Sequence, residues 1–292
     1  MLKPSTLQLR RLRAALLLFG MAVCGACQTS APGEALQRLA HERGASLQDL
    51  ASGPFPLRLG IPAQLPAASR LRLYIEGDGH AWATASQPSL DPSPRDLLVA
   101  RLAFADPAPS LYLARPCQFI RVDACQPARW TDRRYAPEIL ASLDQALDLI
   151  KARFGNQEFE LVGYSGGAAL ALLLASQRDD IAQVQTLAGN LSPRQWVRLK
   201  GLSPLQGSLE PLDAPQRLAR VPQRHFSGSL DPVVPPQLAR DYAASLPGAE
   251  CLQRVELAGV DHHSGWEQAW ALWRGRSIDC ASHPDGTARA IP

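Results

Sequence analysis

The sequence predicts an α/β protein: a single domain with a mostly parallel central sheet flanked by helices. Three observations predict it. Short apolar or alternating runs at 57–61, 71–76, 111–114, 159–163, 184–187, 224–227 and 252–257 are bounded by Gly, Pro, Asp or Ser and read as strands. Stretches with helical periodicity at 137–154, 168–177, 236–245 and 265–274 lie among them, and strands separated by helices call for right-handed crossovers and parallel pairing. Third, Gly163-Tyr164-Ser165-Gly166-Gly167 stands where one strand run gives way to a helix run.

Each element has its own warrant. In 137–154, Ile139, Leu140, Leu143, Ala146, Leu147 and Ile150 recur on one helical face. The run Ala168-Ala169-Leu170-Ala171-Leu172-Leu173-Leu174-Ala175 is apolar all round, as a helix inside the core must be. Trp266, Trp270 and Trp273 recur at helical spacing and read as core packing of the last helix. The Pro-rich segments 87–95 and 203–222 read as loops over the carboxyl edge of the sheet, where α/β proteins place their sites. Residues 27–54, rich in Ala, Gly, Ser and Gln, read as a tether with one short helix near 34–42. The domain then occupies 55–280, and 281–292 form a tail.

The formal charge of +3 is set by the N-terminus. Residues 1–26 hold Lys3, Arg10, Arg11 and Arg13 and no acid, and removing them leaves 26 basic against 27 acidic side chains. No basic footprint for nucleic acid remains. The same 26 residues read as an export signal, because a basic start is followed by an apolar run at 14–26 that is too short to span a bilayer. Cys24-Gly25-Ala26-Cys27 resembles a bacterial lipobox, which makes Cys27 the lipidated residue. With Gln28 rather than Asp after it, the expected destination is the outer membrane. Plain cleavage after Ala26 and a soluble exported protein is the alternative.

Four further cysteines, Cys117, Cys125, Cys251 and Cys280, form an even set in a chain expected to be exported, which implies two disulfides. Three connectivities are open. The sequence-local pairs Cys117–Cys125 and Cys251–Cys280 are favoured, with loop-closure contributions of about 2.6 and 3.6 kcal/mol.

The pentapeptide carries the chemistry. A serine on a tight strand-to-helix turn is held with its hydroxyl exposed, and glycines flank it because side chains there would collide as the helix packs on the strand. A serine hydroxyl needs a base within hydrogen-bond reach, and the base needs an acid to hold its tautomer. Downstream of a strand, Gly228-Ser229-Leu230-Asp231-Pro232 offers Asp231 as that acid; a carboxylate that merely stabilises a turn before proline is the alternative. After the last strand, Gly259-Val260-Asp261-His262-His263-Ser264-Gly265 offers two bases, with His262 favoured over His263. His225 lies inside a strand and reads as a core histidine. An oxyanion needs two backbone donors: Gly166 N–H, and one from the loop Glu76-Gly77-Asp78-Gly79, either Gly77 or Asp78. The Asp78 side chain must then turn away from the developing charge. Glu76 and Asp78 as a cation site is the competing reading. Trp82 and Trp196, in loops at the carboxyl edge, are candidates for lining a pocket.

From about 55 to 274 these residues resemble the α/β-hydrolase superfamily. A narrower likeness is to bacterial exported α/β-hydrolases, often lipoproteins. It rests on Tyr74-Ile75-Glu76-Gly77-Asp78-Gly79, Tyr112-Leu113-Ala114-Arg115-Pro116-Cys117-Gln118, Trp130-Thr131, Arg134-Tyr135, the serine pentapeptide, Ala188-Gly189-Asn190-Leu191 and Gly228-Ser229-Leu230-Asp231. The resemblance implies Ser165 as nucleophile, Asp231 as acid and a histidine of the 261–266 loop as base. It implies no cofactor and supplies no substrate. The expectation is an exported serine hydrolase acting on a small-molecule, lipid or polymer ester. A peptidase or acyltransferase on the same triad, and a non-catalytic envelope protein on this scaffold, are the alternatives.

Overall fold

The structure is a computed structural model that describes residues 31–278 and 280. The expected signal segment 1–26, the lipidation candidate Cys27 and the tail 281–292 lie outside the described residues. Eight strands form one sheet: β1 (Ser46–Leu50), β2 (Leu57–Ile61), β3 (Arg70–Ile75), β4 (Ser110–Leu113), β5 (Glu158–Tyr164), β6 (Ile181–Leu187), β7 (Gln223–Gly228) and β8 (Leu252–Leu257). Their order is β1-β2-β4-β3-β5-β6-β7-β8. The pairs β1/β2 and β2/β4 are antiparallel, and from β4 onward every pairing is parallel.

Eight α-helices accompany the strands among the described residues: α1 (Pro32–Glu42), α2 (Leu98–Phe104), α3 (Pro137–Phe154), α4 (Gly166–Gln177), α5 (Pro193–Lys200), α6 (Pro215–Leu218), α7 (Gln237–Ala244) and α8 (Trp266–Trp273). None is long and apolar enough to cross a membrane. Local chemistry sets their ends. α3 opens on Pro137, whose missing N–H costs nothing in the first turn, and closes at Gly155 with φ 72°.

The strand period of two divides the core. Leu71, Leu73 and Ile75 of β3 face one cluster, packed with α3 and α4. Tyr74 faces the other, with Trp266, Trp270 and Trp273 of α8. α4 is apolar on every side, and all of Gly166–Ala175 is buried between β5 and α3. His225 is a core histidine: Nδ1 meets Thr186 Oγ1 at 2.9 Å and Nε2 meets Gln223 Oε1 at 3.0 Å, and burial pushes its pKa down to about 3.

The tether expected over 27–54 is corrected from Pro32 onward. α1 buries Leu36 and Ala40 completely, and Leu36 joins the cluster around α8. β1 then pairs with β2 in register from Ser46↔Ile61 to Leu50↔Leu57, an antiparallel hairpin that closes one edge of the sheet. The sequence does not announce this strand, because its side chains are only half covered and its apolar alternation is weak. The sulfurs of Cys117 and Cys125, and of Cys251 and Cys280, are bonded. The second bond ties the start of β8 to the chain beyond α8.

Candidate active site

Ser165 occupies the single-residue turn between β5 and α4, with φ 49° and ψ −119°. A positive φ at a residue with a Cβ costs roughly 1–3 kcal/mol and persists only where the surroundings enforce it. Here the surroundings are the glycines. A Cβ on Gly163 would lie 2.6 Å from Ala168 Cα, and one on Gly167 would strike the carbonyl oxygens of Ile75 and Glu76. Gly166 is required for another reason: a Cβ there would strike the Asp78 carboxylate and the Arg115 guanidinium.

His262 reaches this turn from the β8–α8 loop, 97 residues away in sequence. Its Nε2 lies 3.1 Å from Ser165 Oγ, and its Nδ1 lies 2.8 Å from Asp231 Oδ2. A carboxylate accepts, so Nδ1 carries the proton and Nε2 is left to accept from the serine. Asp231 is buried and uses both oxygens. Oδ1 takes the Val233 and Val234 amides at 2.8 Å each, while Oδ2 takes the imidazole. One Asp231 oxygen thus holds the turn before α7, and the other meets the His262 imidazole. His263 is exposed, stands edge-on to His262 at 4.9 Å and makes no bond to Asp231.

Two residues that fix the histidine were not singled out from the sequence. Tyr164, immediately before the serine, donates its hydroxyl to His262 O at 2.6 Å, and Trp266 Nε1 donates to Asp261 O at 2.8 Å. Asp261 folds the loop onto itself by accepting from the Ser264 hydroxyl at 2.8 Å and from the Ser264 and His263 amides at 2.7 Å each, and these bonds, the hydroxyl first, hold its pKa below the usual carboxylate range. A tyrosine inside the pentapeptide gave no signal of this, because its partner depends on the tertiary fold.

The loop after β3 lies against the serine turn. A Cβ on Gly77 would sit 3.2 Å from Tyr164 O and 3.3 Å from Ser165 Cβ. The Gly77 amide donates to Glu76 Oε1 at 2.9 Å, and the Asp78 amide donates to no acceptor among the described residues. The Asp78 side chain turns to two buried guanidiniums, Arg115 on Oδ1 and Arg134 on Oδ2. Burial alone would raise its pKa; attraction by Arg134 and Arg115 outweighs that and holds it at about 2. With Asp78 occupied by arginines, and Glu76 by an amide and a tyrosine, the two carboxylates do not converge on a cation. Among the described residues no group of three His, Cys, Asp or Glu is placed to hold a metal ion.

A cavity of about 700 Å³ opens above Ser165 and His262. Trp82, Trp196, Leu98 and Val233 supply its apolar wall, and Arg95, Asp78 and His263 supply polar groups. Of the two Pro-rich segments, 87–95 contributes Pro94 and Arg95 to this cavity. Residues of 203–222 instead border a smaller hollow beside α5.

Solved structures share this fold. An esterase of Pyrococcus furiosus, Pf2001, superposes with a TM-score of 0.58 at 10% identity, over 80% of this chain and 91% of that one. A cold-adapted esterase from an Arctic intertidal metagenomic library gives 0.54 at 18%, over 79% and 90%. TT1662 from Thermus thermophilus gives 0.53 at 19%, over 78% and 95%. At these identities the likeness is one of fold. No curated protein matches the sequence. Residues 101–259 match the family described as Serine hydrolase (FSH1), a span that contains Ser165 and Asp231 and stops just short of His262. That span is more than half of the chain, so the protein belongs to the serine hydrolase (FSH1) family and carries the α/β-hydrolase fold.

Proposed function

We propose that this serine hydrolase cleaves carboxylic esters through an acyl-enzyme, with Ser165 as nucleophile, His262 as general base and acid, and Asp231 as the carboxylate that orients the imidazole. The observation that carries the reading is the unbroken bond series Ser165 Oγ, His262 Nε2, His262 Nδ1, Asp231 Oδ2 at the wall of the large cavity. Ser165 Oγ attacks the ester carbonyl carbon as its proton passes to His262 Nε2. The negative oxygen is received by the Gly166 N–H, at the positive end of α4, and by the Asp78 N–H. Of the two loop amides, Gly77 is already engaged by Glu76, which supports Asp78 as the donor. Collapse expels the alkoxide, which takes the proton from His262. Water then attacks the acyl-serine with His262 again as base, and the acid product leaves. Ester substrates are in keeping with the two esterases of similar fold.

A fluorophosphonate probe tests this directly. Labelling of the folded protein that maps by peptide sequencing to Ser165, and is absent in Ser165→Ala, is the expected result. Labelling elsewhere, or equal labelling of the variant, sinks the assignment.

We also propose export and anchoring of the chain to the outer membrane through lipid on Cys27. The basic start, the apolar run at 14–26 and the small residues before Cys27 support it, as do two disulfides that suit an oxidising compartment. Cells fed labelled palmitate should yield labelled protein from the wild type and none from Cys27→Ala; label retained by the variant contradicts the anchor.

A further inference from the structure

Glu76 directly follows β3 as a buried carboxylate, 2% exposed, with no cation bonded to it among the described residues. An unpaired carboxylate in the interior is costly unless hydrogen bonds hold it. Two do: Oε1 accepts from the Gly77 amide at 2.9 Å and Oε2 from the Tyr112 hydroxyl at 3.0 Å. Neither bond is part of the proposed reaction, yet both lie directly beneath it.

Their place in the loop gives them a role. The Gly77 amide is held by Glu76 on one side of the residue. On the other side the Gly77 carbonyl accepts from Gln118 Nε2 at 2.9 Å, and Gln118 is itself held by its Oε1 on the Arg115 amide at 3.0 Å. The carbonyl of Gly77 and the N–H of Asp78 belong to one planar trans peptide, so fixing the carbonyl on one side aims the N–H to the other. With both flanks of Gly77 tied down, that peptide plane has little freedom to rotate. The N–H it presents is the loop donor assigned above.

Resting on the ester-hydrolase reading of Ser165, we propose that Glu76 is a positioning residue of the oxyanion site: its ionised carboxylate holds the Gly77 amide and thereby aims the Asp78 N–H beside the nucleophile. The charge state of Glu76 then sets the efficiency of the site. Burial pushes its pKa up to about 7, against the pull of the Gly77 and Tyr112 hydrogen bonds. The groups facing it are Tyr112 of β4, Arg115 just after β4, Tyr164 of β5 and Asp96 ahead of α2. Asp96 adds to the rise, and Arg115, which also bonds Asp78, opposes it weakly. Above pH 8 the carboxylate is ionised and accepts strongly from Gly77. Below pH 6 it is protonated, and the bond weakens to that of a neutral acceptor.

The test compares wild type with Glu76→Gln, which keeps the shape and loses the charge. The second-order rate of fluorophosphonate labelling at Ser165 is measured from pH 5.5 to 8.5, since phosphonylation uses the same donors without needing the natural ester. The expected ratio of wild type to variant is about tenfold at pH 8.5, less than the 10²–10³ of a deleted donor, and close to one at pH 5.5. A ratio that stays constant with pH, or stays at one throughout, overturns the proposal. If Glu76→Gln does not fold, Tyr112→Phe replaces it. Loss of that hydroxyl raises the Glu76 transition, so the acid fall in labelling rate moves to higher pH, and an unmoved fall overturns the proposal. Wild type that takes up no probe sinks the nucleophile and this inference with it, whereas wild type that reacts with a flat ratio sinks this inference alone.

Discussion

Replacing His262 with alanine is expected to lower kcat for a model ester by about 10⁶-fold, the scale seen when one member of a serine triad is removed, while His263→Ala stays within about threefold of wild type. The two histidines are neighbours in sequence and both line the cavity. Only His262 has one nitrogen at Ser165 and the other at Asp231. Its backbone carbonyl is gripped by Tyr164, so its position does not depend on His263. Without His262 the serine proton has no acceptor, and what survives is binding and the oxyanion site. Steady-state rates for both variants, with melting temperatures to show that each is folded, decide the matter. Comparable losses in both variants, or a large loss only at His263, overturn the proposed base.

Asp78→Asn is expected to destabilise the protein by about 3–5 kcal/mol, the cost of leaving buried cations without their partner. Arg115 and Arg134 have side chains only 5% and 6% exposed, and both are aimed at this one carboxylate. With Asn in its place the two guanidiniums share one neutral amide oxygen and the backbone acceptors they already use, the Arg134 and Thr131 carbonyls, with no negative charge between them. The sign of the pH dependence follows from a folded pKa held at about 2, below the ordinary value near 4. The pH-dependent part of the stabilisation is fully present above about pH 4 and is lost as pH falls through 4 toward 2, so the gap between wild type and variant narrows in acid. Urea melts at pH 7 and pH 3 measure both. A variant within 1 kcal/mol of wild type at pH 7 contradicts the account.

Local signals carried the sequence reading wherever a residue's role is set by its neighbours in the chain. The Gly163–Gly167 turn was legible because each glycine answers a clash within a few residues or with the adjoining strand. The run 57–61 was legible because Leu57, Leu59 and Ile61 alternate into one core cluster. β1 was not, since Ser46–Leu50 half-covers its side chains at a sheet edge and offers little apolar contrast. The partners of Asp78 lie 37 and 56 residues away and Tyr164 meets His262 across 98. No spacing rule reports contacts of that kind, because crossovers of the sheet create them. That Asp78 had to turn from the oxyanion followed from charge alone; the two arginines that receive it did not.

The folding of α1 and β1 onto the sheet limits how far an anchor at Cys27, as proposed, would let the enzyme stand from a membrane. A 28-residue leash over 27–54 would extend to roughly 95 Å, enough to let the body roam and turn freely. With the chain structured from Pro32, the five Cα-to-Cα steps from Cys27 to that proline span at most about 18 Å. An anchor at Cys27 would therefore hold the catalytic body almost against the bilayer, with little rotational freedom. Its substrates would then be those met within about one protein diameter of the lipid surface.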